Sequence, residues 1–419
     1  MIHLKHFFLN SKDINKSSFT WNMAGSMLMA FQSVIMLMII TRTLNLNEAG
    51  IFTLAYASAN LFLNIGKYGM RNFQVSDVKP EYNFQEYRAS RIVTTIAMLI
   101  ASAIYVLIAT NHNNYNTNKS WIIIWMCLFK IVDSIEDVYL GYYQQQNRLD
   151  VSGKMLTIRM ILTIIVFALC LILLHNQLLS LIITTIFTAS ILIFFILLTY
   201  PHFKIINEGT DKKQIWKLLK VCFPLSAGCF LAFYIGNAPK YAIDKILDDK
   251  AQACYGFIAM PVFVIGLLNN FIFSPMIAKM SLLWNDGNKK QFQKLFKLQI
   301  LIITAITAIC ELGAYLLGIP VLSLLYNTDL SAYKDELLIL LLGGGFLALS
   351  GLLVTIMTIL RIQNSQAIGY AIIAILAYIL SPVFVQKYAV MGASVLYLLL
   401  MVLLCAIFWM LLMVHMKRD

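Results

Sequence analysis

Two short stretches hold most of the residues whose types and spacing could do chemistry. Lys130, Asp133, Asp137, Gly141, Gln144 and Arg148 recur at intervals of three and four, with Glu136 at the margin. At about 100° per residue, one helix carries them as a single stripe. Asn60, Asn64, Lys67 and Arg71 repeat the pattern upstream. Three acids on one helix can imitate an aspartyl dyad, but no second helix bears a matching acid. The sequence also lacks a Gly-rich phosphate loop, a G-x-S-x-G elbow and a histidine pair at ligand spacing. Its seven cysteines stand singly, at no spacing that suits a metal or a disulfide framework. These stripes therefore suit binding and pairing of charges better than bond-breaking, and no catalytic residue or metal ligand is expected.

The elements that must position them are membrane helices. Of the 419 residues, 60% are hydrophobic and 12% charged, against roughly 25% charged in soluble domains. Mean hydropathy is +0.77. The apolar residues come in blocks of about 20, the length of a bilayer-crossing helix, without the alternation of a barrel. Twelve spans can be read: 20–41, 48–68, 92–110, 120–142, 155–174, 178–199, 220–240, 251–279, 297–318, 336–360, 367–385 and 390–414. Residues 1–19 are mixed and polar and do not read as a cleavable signal. With the N-terminus in the cytosol, 24 of the 32 Lys and Arg fall on the cytosolic side and seven outside. The positive-inside rule then places both termini in the cytosol. The net charge of +12 follows from that bias and from attraction to anionic lipid heads, so nucleic acid is not an expected partner. The stretch 285–297 reads as an amphipathic interfacial helix. The longest outer loop, about 17 residues between spans nine and ten, is too short for a catalytic domain.

Charge inside a span costs roughly 2.5–3.5 kcal/mol at the helix centre. Two readings of the stripes stand. Lys67 and Arg71 either snorkel to the interface or face a wet cavity, and Lys130 either pairs with Asp133 along its own helix or lines that cavity. In the second half Tyr234, Asn237 and Tyr241 share a face, Pro239 can break the helix, and Lys240 either snorkels outward or joins a site.

A shift of 203 relates the halves. Residues 24–52 align without gaps to 227–255, with five identities, among them Ala24/Ala227, Ile40/Ile243 and Leu44/Leu247. Six spans per half is even, so the halves are parallel repeats about an axis along the membrane normal. The organisation expected is a cytosolic segment (1–19), a six-helix bundle (20–199), a cytosolic linker (200–219) and a second six-helix bundle (220–419).

Arg42-Thr-Leu with Glu48-Ala-Gly50-Ile-Phe52, the run Lys130 to Arg148, and Tyr255, Pro261 and Pro275 followed by Trp284-Asn-Asp-Gly287 carry a family likeness. In that order and spacing the chain resembles the polysaccharide repeat-unit flippases, for O-antigen and exopolysaccharide lipids, of the multidrug/oligosaccharidyl-lipid/polysaccharide exporter superfamily. It departs in having Leu46-Asn47 where a Leu-Gly is frequent. The resemblance implies flipping of a polyprenyl-diphosphate oligosaccharide across the bacterial plasma membrane by alternating access, without enzymatic activity. Membrane lipids and polysaccharide polymerase machinery are the implied partners. The candidate substrate-binding residues are Asn60, Asn64, Lys67, Arg71, Lys130, Gln144, Arg159, Asn237 and Lys240. Asp133, Glu136 and Asp137 would keep the cavity wet, pair with the bases in the empty state, or bind a coupling H+ or Na+. The other readings are a multidrug or cation antiporter of the same superfamily, with the acidic stripe as cation site, and a membrane-embedded glycan polymerase, ligase or acyltransferase.

Overall fold

The computed structural model describes residues 2–76, 81–113, 115–203, 209–360 and 362–416. Every regular element among them is helical. Two compact units form, Met1–Phe230 and Leu231–Asp419. The first holds α1 (Ile2–Leu9), α2 (Ile14–Thr43), α3 (Leu46–Lys67), α4 (Met70–Ser76), α5 (Phe84–His112), α6 (Thr117–Gln145), α7 (Leu149–Leu174) and α8 (Gln177–Thr199). Helix α9 (Lys212–Ile246) begins in the first unit and ends in the second. The second unit continues with α10 (Asp249–Asn285), α11 (Lys289–Gly313), α12 (Ile319–Tyr326), α13 (Lys334–Ile359) and α14 (Gln363–Met416).

Short polar side chains set many of the starts. Asn45, Asn83, Asn116, Asn176, Asp248 and Asn288 each accept a hydrogen bond from a backbone N–H in the first turn of the helix they precede. This satisfies a donor the helix itself cannot. Asn83 and Glu86 complete a reciprocal capping box. Between α7 and α8 the chain turns on His175, at φ 49°, and Asn176.

Among the described residues, ten helices are long and apolar enough to cross a membrane. Helix α6 is too charged to count by that measure, and its surroundings explain why it is tolerated. It packs against α3, α5 and α8, so Lys130, Asp133, Glu136 and Asp137 are buried against protein. Helix α14, at 54 residues, would be about 80 Å long if straight, far beyond a hydrocarbon core of about 30 Å. It is interrupted at Ala389, where φ is 49° and ψ −129°, between the two stretches read as spans eleven and twelve.

Four local expectations need correction. Asn60, Asn64, Lys67 and Arg71 do not share one helix: α3 ends at Lys67, close to the end expected for span two, and Tyr68 and Gly69 follow at φ 56° and 62°. Two consecutive left-handed residues cannot continue a right-handed helix, and only glycine adopts that region without steric cost. Pro239 does not break its helix, since α9 runs through it to Ile246. The amphipathic stretch before span nine is not a separate interfacial helix: from Lys289 onward it forms the first turns of α11. Most of the long outer loop is helical, as α12 and a 3-10 turn at Ser331–Tyr333.

The shift of 203 recurs in hydrogen bonds. Helices α2 and α9 end at Thr43 and Ile246; Leu44 N donates to Ile40 O at 2.8 Å, and Leu247 N to Ile243 O at 2.7 Å. The next residues, Asn45 and Asp248, cap α3 and α10 by accepting from Glu48 N and Ala251 N. Every position in the first turn finds its counterpart in the second.

A charged cavity as the candidate functional site

The core of the first unit carries a continuous charge network. On α6, Lys130 donates to Gln32 Oε1 (3.0 Å), Tyr56 OH (3.2 Å) and Asp133 Oδ2 (3.0 Å). An ammonium has three donors, and all three are used. Arg159, on α7 and 0% exposed, donates to Asp133 Oδ1 at 2.7 Å and to both carboxylate oxygens of Glu136. Its remaining terminal nitrogen reaches Thr188 Oγ1 at 3.2 Å, and Thr163 Oγ1 donates to the same oxygen. Buried charges persist only when paired and hydrogen-bonded in this way.

Asp137, one helical turn along, belongs to a second cluster. Arg91 on α5 is 2% exposed and donates from Nη2 to Asp137 Oδ2 at 2.8 Å. Its Nη1 donates to Gly66 O at 2.6 Å, and Thr94 Oγ1 donates to the same carbonyl at 2.8 Å. Gly66 lies in the last turn of α3, where carbonyls have no helical partner, so α5 caps the helix broken at Tyr68. Beyond the break, Arg71 on α4 lies 3.8 Å from Asp137 Oδ1 and donates to Gln144 Oε1 at 3.0 Å. Helix α4 is seated on the end of α6 by two bonds, Gln74 Nε2 to Gln145 Oε1 and Gln145 Nε2 to Gln74 O. Gly141 permits that approach: a Cβ there would meet the Gln74 amide and, at 3.3 Å, the Arg71 stem.

A cavity of about 460 Å³ opens between these groups. Asn64, Lys67, Arg71 and Asn72 line one side, and Asp133, Glu136, Asp137 and Gln144 another. Asn22, Ser26 and Leu156 add smaller polar and apolar surface, and Cys229 on α9 is also at the wall. Of the expected substrate residues, Asn64, Lys67, Arg71 and Gln144 thus share one cavity. Lys130 and Arg159 stand behind its wall, committed to the acids. Asn60 donates to Tyr56 O along its own helix at 2.8 Å and is not among the lining residues. Asn237 and Lys240 lie on α9 in the second unit; Asn237 donates to Phe233 O at 3.0 Å, and the rings of Tyr234 and Tyr241 stack there with centroids 6.0 Å apart.

Two residues escaped sequence reasoning. Gln32 is fully buried; its signal was a lone amide within an apolar run. Arg91 falls just before the span expected at 92–110, yet it stands in the second turn of α5. A buried Arg one turn after a capping box is separable from a loop Arg only once the helix start is placed.

The fold is that of polytopic membrane transporters. An inward-facing multidrug resistance MATE family transporter of the MOP superfamily matches at TM-score 0.69, with 11% identity over 91% of this chain and 93% of the other. The inward closed lipid II flippase MurJ matches at TM-score 0.69, with 13% identity over 95% and 87%. The chain belongs to the polysaccharide biosynthesis protein family, whose pattern it matches over residues 16–281. A relative, capsular polysaccharide biosynthesis protein CapF of Staphylococcus aureus, is 25% identical over 384 residues, covering 90% of this chain and 94% of that protein. It is therefore a multi-pass membrane protein of a polysaccharide biosynthesis family, with the fold of transporters and a flippase.

Proposed function

We propose that this protein flips polyprenyl-diphosphate oligosaccharide repeat units across the bacterial plasma membrane, for assembly of a surface polysaccharide by a partner polymerase. It does so with twelve spans, both termini in the cytosol and alternating access. One observation carries the reading. The cavity and the network behind it hold five cations (Lys67, Arg71, Arg91, Lys130 and Arg159) and three carboxylates (Asp133, Glu136 and Asp137). Two positive charges are left over, which match the two negative charges of a diphosphate diester. They also stand on the right side chains. Lys130, Arg91 and Arg159 are held by buried carboxylates, whereas Lys67 has no hydrogen bond or ion pair among the described residues and Arg71 is only loosely held. Positive partners in a low-dielectric cavity are what a diphosphate leaving water requires.

This assigns the acids to pairing with bases in the empty state. Asp133, Glu136 and Asp137 each have a protein cation within ion-pair distance, which argues against their being a site for H+ or Na+ and against a cation antiporter. Asn64 and Gln144, amides on either side of the cavity, suit the first sugar's hydroxyls, while the prenyl tail stays in lipid.

The test is a deletion in the native host complemented with wild type or Lys67→Ala. Loss of surface polymer with repeat units trapped on the cytosolic leaflet, restored by wild type alone, is the expected result. Normal polymer with new drug sensitivity would replace this reading by drug export. Polymer loss with repeat units already outside would mean an enzyme acting after the flip.

A further inference from the structure

We infer that Arg71 is the side chain that changes partners when the anion enters, and that Arg91 is the positioning residue that allows it to. The inference rests on the reading of the cavity as a diphosphate site. The two arginines share one carboxylate on unequal terms. Arg91 holds Asp137 Oδ2 at 2.8 Å and is 2% exposed, while Arg71 is 3.8 Å from Oδ1 and 28% exposed. Among the described residues, Arg71's one close bond, 3.0 Å, goes to the neutral amide of Gln144. A phosphate oxygen offers Arg71 a full opposite charge and a bidentate geometry, neither of which the neutral Gln144 amide can supply, so an entering diphosphate outcompetes Gln144.

What would oppose the exchange is Asp137. A buried carboxylate losing its only cation is strongly unfavourable, and that cost would tie Arg71 to it. Arg91 removes the cost, because Asp137 keeps a short ion pair after Arg71 has gone. Arg91 is itself fixed at its second nitrogen by Gly66 O, which Thr94 also holds. It therefore stays with α5 and α3 while Arg71, beyond the left-handed break at Tyr68 and Gly69, swings on a separate short helix. Arg91 does not line the cavity and acts only through Asp137.

The experiment is a titration of the purified full-length protein in detergent with inorganic diphosphate, by calorimetry, against sulfate at matched ionic strength. Wild type should bind diphosphate in preference to sulfate, and Arg71→Ala should lose that preference. In Arg91→Gln, Asp137 captures Arg71, and affinity should fall about tenfold or more although both cavity cations remain. Arg91→Gln with Asp137→Asn removes the captor, and affinity should return to within about threefold of wild type. A purely structural Arg91 would give a double variant no better than the single. Should Arg91→Gln not fold, the double variant, which leaves no buried charge unpaired at this point, decides alone: failure to bind diphosphate overturns the exchange. Wild-type affinity in Arg91→Gln overturns it equally. No preference for diphosphate in the wild type would instead bring down the reading of the cavity, and the exchange with it.

Discussion

Gln32 and Lys130, 98 positions apart, are joined by a 3.0 Å hydrogen bond in which the ammonium donates to the amide oxygen. The glutamine is fully buried, and its own Nε2 has no hydrogen-bond partner among the described residues, so what it supplies to the core is the acceptor. Replacing it by leucine takes away one of three acceptors around a buried charge. Gln32→Leu should destabilise the protein by roughly 1–3 kcal/mol, read as a lower melting temperature in detergent. An unchanged melting temperature would mean that Tyr56 and Asp133 suffice for Lys130.

Lys67 and Lys130 should fail in different ways. Lys67→Ala removes a side chain with no ion pair among the described residues to lose, so folded protein should accumulate normally while surface polymer disappears. Lys130→Ala leaves two buried carboxylates, Asp133 and Glu136, sharing Arg159 alone, and an uncompensated buried charge costs about 3–5 kcal/mol. Folded protein in the membrane should then fall along with polymer. Quantifying membrane protein beside polymer in both strains separates the two; equal protein levels would contradict the division between fixed and free cations.

Cys229 gives a chemical view of the cavity. It lines the wall and is half-buried, whereas Cys127, Cys222, Cys254 and Cys405 are buried. A small hydrophilic thiol reagent should modify Cys229 in a protein whose other cysteines are replaced, and inorganic diphosphate should slow the reaction. Labelling that ignores diphosphate would place the anion elsewhere.

Ala389 holds a backbone conformation that suits glycine, at φ 49° and ψ −129°. Such residues carry roughly 1–3 kcal/mol of strain. Ala389→Gly should relieve part of it, offset by the greater freedom of glycine in the unfolded chain. The expected result is a melting temperature raised by a few degrees, about 1 kcal/mol.

The charged face of α6 was legible from spacing alone because helical period is local. From Lys130 to Gln144 the residues share a stripe whatever surrounds them. The likeness of residues 44–48 to 247–251 was legible as part of a gapless alignment, whereas the helix ends lie beyond the apolar blocks that end at 41 and 240, at Thr43 and Ile246. What the sequence could not show was which partner each charge would take. Lys130 with Gln32, Asp137 with Arg91 and Arg159 with Glu136 are matches between helices, decided by packing. The end of α3 was legible as the end of an apolar block; what stayed hidden was the left-handed pair Tyr68 and Gly69, which puts Arg71 on a helix of its own, because Tyr68 is an unusual residue for such a cap.

The two uncompensated positive charges have a consequence for work against the membrane field. A cavity carrying +2 that takes up a ligand carrying −2 becomes electroneutral, so presenting the loaded site to the far side moves no net charge. Under the proposed alternating access the empty site does move charge on its return, at about 2.3 kcal/mol per elementary charge for each 100 mV crossed. With the cell interior negative, that return toward the cytosol is the electrically downhill step, and the outward step is indifferent to voltage. Collapsing the potential with valinomycin and potassium should therefore slow polymer export even with the pH gradient intact. The leftover cations proposed to recognise the ligand would then also reset the carrier, using a voltage the cell already maintains.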